Sequence, residues 1–376
     1  MKKKELIILK RKLRKKMANN NGSKRIQRKL KKVVRVSQEE QVQKSKKEMS
    51  DKPVPARRDT NRSKVTFLEL VFPPISNQEA VWLKDEPAAE YMKQSDFYMI
   101  GAKAKSHFEA YSFNETNMIL SFDLFINGEK RSECSLSINE LSAVNSSEHE
   151  KIGVGCGDWG INVFYEQDGE QYLLEYFSPE TILWHRSREA SGVYGLDNFE
   201  ELFVYDLLYV GIAKKGDSYE RLIKKGHQKR MEILANEPQR FPGARVSDET
   251  FLFLYRLEPL FITQFGANED SFDLSFDYDH KRIVADAEKA FVNLLKPNYN
   301  SIQFTQYPKG ADGLYDSKLD SYTYSLGEAI TFNTPHGKFR GGRDLHLGGL
   351  SNKSDFISVD KESVKQFVAG EDFERG

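Results

Sequence analysis

Cysteine is almost absent. Cys134 and Cys156 are the two in 376 residues, far apart and in no CxxC pattern. A disulfide framework and a cysteine-based zinc site are not expected, and a reducing, cytoplasmic setting is the default. Long hydrophobic runs are missing as well, and none approaches the roughly 20 residues that span a bilayer. No membrane partner is expected. Leu6-Ile7-Ile8-Leu9 is too short for a signal-peptide core, and more Lys and Arg follow it. Net charge is the third absence, with 56 basic and 56 acidic residues.

That balance hides a split. Residues 1–64 carry 24 Lys and Arg against 6 Asp and Glu, while 65–376 carry 32 against 50. A basic arm is joined to an acidic body. The arm has few aromatics. A short amphipathic helix at 6–30 competes with charge repulsion and low apolar content, which favour disorder. Asp51-Lys52-Pro53-Val54-Pro55 reads as a linker. The arm suits polyanion binding, and equally a solubilising extension.

The body is aromatic enough, at 12%, to predict a packed core. Its pattern is α+β. Residues 65–180 read as a β-rich domain of unassigned role. Strand-like runs at 66–72, 118–125 and 172–177 are separated by turn pairs such as Asn127-Gly128 and Asp168-Gly169. The glycine-rich stretch 153–160 lacks the GxGxxG register, because Asp158 stands where the third glycine belongs, so it reads as a turn. Residues 181–300 form the expected functional domain. Residues 301–376 form a small β-rich extension, with strands at 321–326 and 329–333. A final helix at 361–369 is expected, with Asp360 as its N-cap and Gly370 as its stop.

Within 181–300, residues 202–213 alternate as a strand. Tyr205, Leu207, Tyr209 and Gly211 are assigned to one face and Val204, Leu208, Val210 and Ile212 to the other. Gly211 weakens a strand, so it marks close approach by a backbone or a ligand. A helix at 217–234 is expected to break at Gly226. A strand follows at 251–257, then an acidic, aromatic insertion at 268–279. The helix at 284–295 ends at Lys296-Pro297. On its wheel Val284, Ala287, Phe291, Val292, Leu294 and Leu295 form one apolar arc, and Glu288 falls inside it. An ionised carboxylate there is costly unless it is paired or binds a metal.

The ordered set Gly192-Val193-Tyr194, Tyr209-Val210-Gly211, Arg221 with His227, and Glu288 with Pro297-Asn298-Tyr299-Asn300 resembles the GIY-YIG endonuclease family. It covers about 110 residues (192–300). The resemblance implies a small antiparallel sheet flanked by helices, carrying a metal-dependent endonuclease site. Glu288 would hold one divalent metal, Mg or Mn. Arg221 would contact the phosphate, and Tyr194 would orient or deprotonate the attacking water. Tyr209 and His227 would hydrogen-bond around it, and Asn300 would brace the Glu288 helix. Two alternatives stay open. The first strand is either the one holding Tyr194 or 182–185, which would bring Trp184 or His185 to the site. The phosphate contact is Arg221 by spacing or Arg230 by the helical wheel.

The resulting expectation is hydrolysis of phosphodiester bonds, in DNA more than RNA. A non-catalytic nucleic-acid-binding module on the same scaffold is the first alternative. A protein-interaction module, whose acidic body binds a basic partner or its own arm, is the second.

Overall fold

The computed structural model describes residues 60–147, 151–214, 216–265, 275–276, 279–349 and 351–371. The arm at 1–64 lies outside the described residues except for its last five, and so does most of the acidic segment at 268–279.

Strands β1 (Asn61–Leu70), β2 (Ile75–Ser76) and β3 (Phe97–Ala102) enter the largest sheet. The chain then leaves it. β4 (Ser106–Asn114), β5 (Ile119–Ile126) and β6 (Glu129–Ser137) make one meander, and β7 (Ile152–Gly157), β8 (Gly160–Gln167) and β9 (Glu170–Phe177) another. Asn127-Gly128 and Asp168-Gly169 turn two of these hairpins with φ of 57° and 74°, and of 54° and 82°. Positive φ at both central residues matches the strand twist. The glycine-rich stretch, expected to be a turn, is mostly strand: 153–157 lie in β7, and Asp158-Trp159 alone turn the chain into β8.

Helix α1 (Pro179–Ser187) follows, its first turn capped by Ser178, whose hydroxyl accepts from the Thr181 N–H at 3.2 Å. Residues 182–185 are therefore helical, and they supply no first strand. β10 (Val193–Gly195) pairs with β6. β11 (Val204–Ile212) re-enters the largest sheet, followed by helix α2 (Gln228–Asn236), β12 (Thr250–Gln264) and helix α3 (His280–Leu295). The last strands are β13 (Ser321–Leu326), β14 (Thr331–Thr334), β15 (Gly337–Arg340), β16 (Phe356–Asp360) and β17 (Val364–Phe367).

The fold is mixed α/β, with many strands and few helices. The largest sheet has ten strands in the order β15-β14-β11-β3-β12-β1-β13-β16-β17, with β2 beside β12. It is mixed, because β1–β13 and β11–β14 pair in parallel and the other pairs are antiparallel. Divisions expected at 180 and 300 cut through this sheet: β1 and β3 from the first segment and β13 to β17 from the last all belong to it. Residues 60–376 group as one compact unit. The segment 361–369 is also corrected. It is the turn and second strand of the β16–β17 hairpin, since the Asp360 carboxylate accepts from the N–H groups of Glu362 at 2.7 Å and Ser363 at 2.6 Å. An Asx turn and a helix N-cap use the same local bonds, and Val364–Phe367 then pairs with β16 rather than coiling.

Two cores flank the sheet. α3 packs in the larger one. Asp279 caps it, accepting from the Lys281 N–H at 3.0 Å, and Lys296 ends it in the left-handed region at φ 46°. Ile283, Val284, Ala287, Phe291, Val292 and Leu295 are buried in this core. Asp286 is also fully buried. Its carboxylate accepts from the Tyr307 and Tyr324 hydroxyls and the Leu314 N–H, each at 2.7 Å, which offsets its desolvation. The smaller core holds Tyr98, Ile100, Leu208, Tyr209, Tyr219, Leu222 and Leu252. Among the described residues no helix is long and apolar enough to cross a membrane.

Candidate functional site

β3 lies between β11 and β12, antiparallel to both. Its register sets Tyr98 opposite Gly211 and Ile100 opposite Tyr209. A bulge interrupts the β3–β11 ladder between Leu207 and Tyr209. The strand alternation read from the sequence therefore breaks. Tyr205 and Leu207 join the large core with Val210 and Ile212, while Leu208 and Tyr209 turn to the small one. The bulge re-aims Tyr209 beside Tyr98, a common use of an extra residue.

The Tyr98 and Tyr209 rings stack with centroids 6.0 Å apart, an arrangement worth about 0.5–1.5 kcal/mol beyond burial. Gly211 is required here. A Cβ on it would lie 2.6 Å from the Tyr98 hydroxyl and 2.7 Å from the Tyr209 ring. The close approach at Gly211 is by tyrosine side chains, not by the backbone or ligand expected there.

After β11 the chain makes a π-helical turn at Glu220–Lys224, breaks at Gly226 with φ 72°, and starts α2 at Gln228. The break falls where the sequence predicts it. It directs Arg221 and His227 to the tyrosines. The Arg221 guanidinium donates to the Ile212 carbonyl at 2.8 Å and lies 3.2 Å from His227 Nε2. The Tyr98 hydroxyl is also 3.2 Å from that nitrogen. Arginine only donates, so Nε2 accepts and the neutral ring carries its proton on Nδ1. Nδ1 is buried without a protein partner among the described residues. Burial first, then the Arg221 charge, holds His227 down to about 4, so the ring is neutral at pH 7.

Arg230 is assigned differently. It is buried, donating to Asn77 Oδ1, to the Leu222 carbonyl at 2.8 Å and to the Asn77 carbonyl at 3.2 Å. Its donors are used to clamp α2 to the segment after β2. Because Gly226 resets the helical phase, Arg221 rather than Arg230 reaches His227.

Glu288 lies on α3, partly buried. Among the described residues it makes no hydrogen bond or ion pair. Burial pushes its carboxyl up to about 7, against the opposing charges of Lys214, Arg221 and Lys289. Its charge in turn raises Tyr209 and Tyr98, after the larger effect of their burial. Asn300 does not brace α3 directly. Its side chain accepts from the Val210 N–H at 2.9 Å and donates to the Val210 carbonyl at 2.8 Å, and the Tyr299 N–H donates to the Leu208 carbonyl at 3.1 Å. The segment after α3 thus completes the outer edge of β11, where β14 pairs only as far as Asp206.

Tyr194 is not brought to this place. It lies in β10 of the four-stranded sheet, 49% exposed, with its hydroxyl bonded to Glu140. Trp184 and His185 lie on α1, where His185 faces Glu175 at 3.3 Å. Tyr98 is the tyrosine that sequence reasoning missed. Its signal was the short apolar run 97–102, with a tyrosine and a glycine, Gly101, three residues apart. Residues 103–203 intervene before β11, so the contact between Tyr98 and Tyr209 is non-local in sequence.

No cluster of three or more His, Cys, Asp or Glu poised for a metal occurs among the described residues. A hard cation that keeps most of its waters needs one carboxylate, and an unpaired, half-desolvated Glu288 fits that role. Compared with protein-family models, curated proteins and solved structures, the chain finds no match.

Proposed function

We propose that the chain is a metal-dependent nuclease of GIY-YIG type that hydrolyses phosphodiester bonds, with DNA as the preferred substrate and Tyr98 in the role first given to Tyr194. One observation carries the reading. Tyr98, Tyr209, Arg221, His227 and Glu288 come from one strand pair, one π-helical turn, the residue before α2 and α3, yet form one electrostatic neighbourhood.

Hydrolysis adds negative charge to the phosphate and needs a positioned water. Arg221 keeps guanidinium donors beyond those it gives to Ile212 and His227, and these contact the phosphate oxygens. The buried Tyr98 phenol is pushed far above its ordinary range, so it does not ionise alone. A water admitted to its hydroxyl is oriented there and passes its proton through it to His227 Nε2, whose bond from Arg221 shifts to the phosphate; the new P–O bond forms, the bond to the leaving oxygen breaks, and that oxygen takes a proton from solvent. Tyr209 shapes the wall beside it. A divalent cation on Glu288 would offset charge on the phosphate and the leaving oxygen.

The test is cleavage of supercoiled plasmid and of single strands with Mg²⁺ or Mn²⁺. Wild type is expected to nick, and Glu288→Ala to lose about a hundredfold or more with an unchanged circular-dichroism spectrum. Equal rates for the two proteins would sink the catalytic reading. The complete burial of Tyr98 favours a second reading, a scaffold that binds nucleic acid without cutting it. Salt-dependent binding without hydrolysis under any metal would select that one.

A further inference from the structure

Away from the tyrosines, an apolar groove of about 920 Å³ runs between the segment 79–92, β9 and α1. Trp82, Tyr91 and Leu173 on its walls are 59%, 60% and 61% exposed. Apolar side chains gathered this openly mark interaction sites more often than ordinary surface. The groove also carries charge of one sign. Glu79, Glu86 and Glu175 line it, and no Lys or Arg does.

Two of these carboxylates lack a compensating cation. Glu79 accepts from the Ser76 N–H at 2.6 Å and faces the like charge of Glu180. Glu175 faces His185, which burial holds down to about 4 and therefore neutral. Burial pushes both carboxyls up to about 7, a sign of anions held in an apolar place without a counter-charge. Phosphate-bearing partners, nucleic acid or lipid, are repelled by such a lining. A cation attached to an apolar body is attracted, and the exposed Trp82 and Tyr91 add aromatic faces for it, whereas the Trp184 ring already carries the Arg188 guanidinium at 4.1 Å.

We propose that this groove docks a basic amphipathic peptide segment of a partner protein. Its apolar residues pack between Trp82 and Leu173, and its Lys or Arg side chains reach Glu79 and Glu175. The charge complementarity decides the occupant: the groove supplies the anions and the aromatic wall, and the partner supplies cations on an apolar face.

The experiment uses the full chain and a labelled amphipathic peptide of leucine and lysine, about four helical turns long, with a glutamine-for-lysine twin. The lysine peptide is expected to bind at least tenfold more tightly than the twin. Trp82→Ala and Glu175→Gln should each weaken it about tenfold, while Glu362→Gln, on the β16–β17 turn, should leave it unchanged. Trp82 is exposed, so its variant should keep the wild-type melting temperature. Equal binding of the two peptides, or equal binding by all the variants, overturns the proposal. So does a photoreactive benzoylphenylalanine in place of Leu173 that, in the free chain, cross-links to residues 1–59 or to a second copy.

Discussion

Tyr98 has no exposed surface and shares His227 Nε2 with Arg221, whereas Tyr194 is half exposed on another sheet. The two tyrosines therefore separate experimentally. Tyr98→Phe is expected to lower cleavage about 10- to 100-fold with the fold kept, and Tyr194→Phe to change it less than about twofold; a plasmid-nicking time course reads both. Glu288 gives a pH signature. Its folded value is raised from 4.5 to about 7, so ionising it costs folding energy. Without metal, stability should fall as pH rises from about 4.5 to 7, by about 1–3 kcal/mol, and Glu288→Gln should remove that fall. Urea unfolding in chelator at pH 5 and pH 8 measures it. Metal binding has the opposite sense, because it needs the ionised carboxylate: apparent affinity should climb until pH passes about 7, with a proton released below that. Tyr209, Arg221, His227 and Glu288 were legible in the sequence because they fall within 80 residues in a recognisable order. Tyr98 was not, because the pairing that brings it to Gly211 is non-local.

Short devices aim these side chains. The bulge at Leu208 turns Tyr209 to the small core, and the π-helical turn with Gly226 turns Arg221 inward. The Gly226 break could be read from the sequence because glycine punctuates a helix for a local reason. The bulge could not, since nothing local marks it and strict alternation is the natural first reading of the strand. The misread at 361–369 has the same origin: an Asp followed by free N–H groups serves a turn or a helix equally, and the partner strand decides. Two substitutions test the devices. Gly211→Ala should force the stacked tyrosines apart, costing about 1–3 kcal/mol and most of the activity. Arg230→Met should cost about 2–4 kcal/mol by leaving buried carbonyls at Leu222 and Asn77 unpaired, yet preserve activity in the folded fraction. Thermal melts paired with nicking rates distinguish the two.

At the scale of the whole chain, one ten-stranded sheet takes strands from every segment into which composition divides the sequence. The division failed because composition changes along a chain do not track strand pairing: β1 pairs with β12 and β13, nearly 200 and more than 250 residues away. The charge split remains the main legible feature at this scale. If residues 1–59, with 22 basic and 6 acidic residues, bring a polyanion to an acidic body, their removal should flatten the dependence of log affinity on log salt by several units. Fluorescence anisotropy of labelled DNA between 50 and 200 mM salt would show it, and an unchanged slope would remove the arm from the binding surface.

The β3–β11 pairing also sets a time. Tyr98 leaves the ribosome early, but its stacking partner, its arginine and its carboxylate are made later, and Asn300 closes the strand edge last. At roughly 5–20 residues per second, about 10–40 seconds separate the synthesis of Tyr98 from that of Glu288. Until the chain has grown past Glu288, Tyr98 and Tyr209 can stack but face no carboxylate, so the charge that Glu288 places beside them arrives after their ring contact.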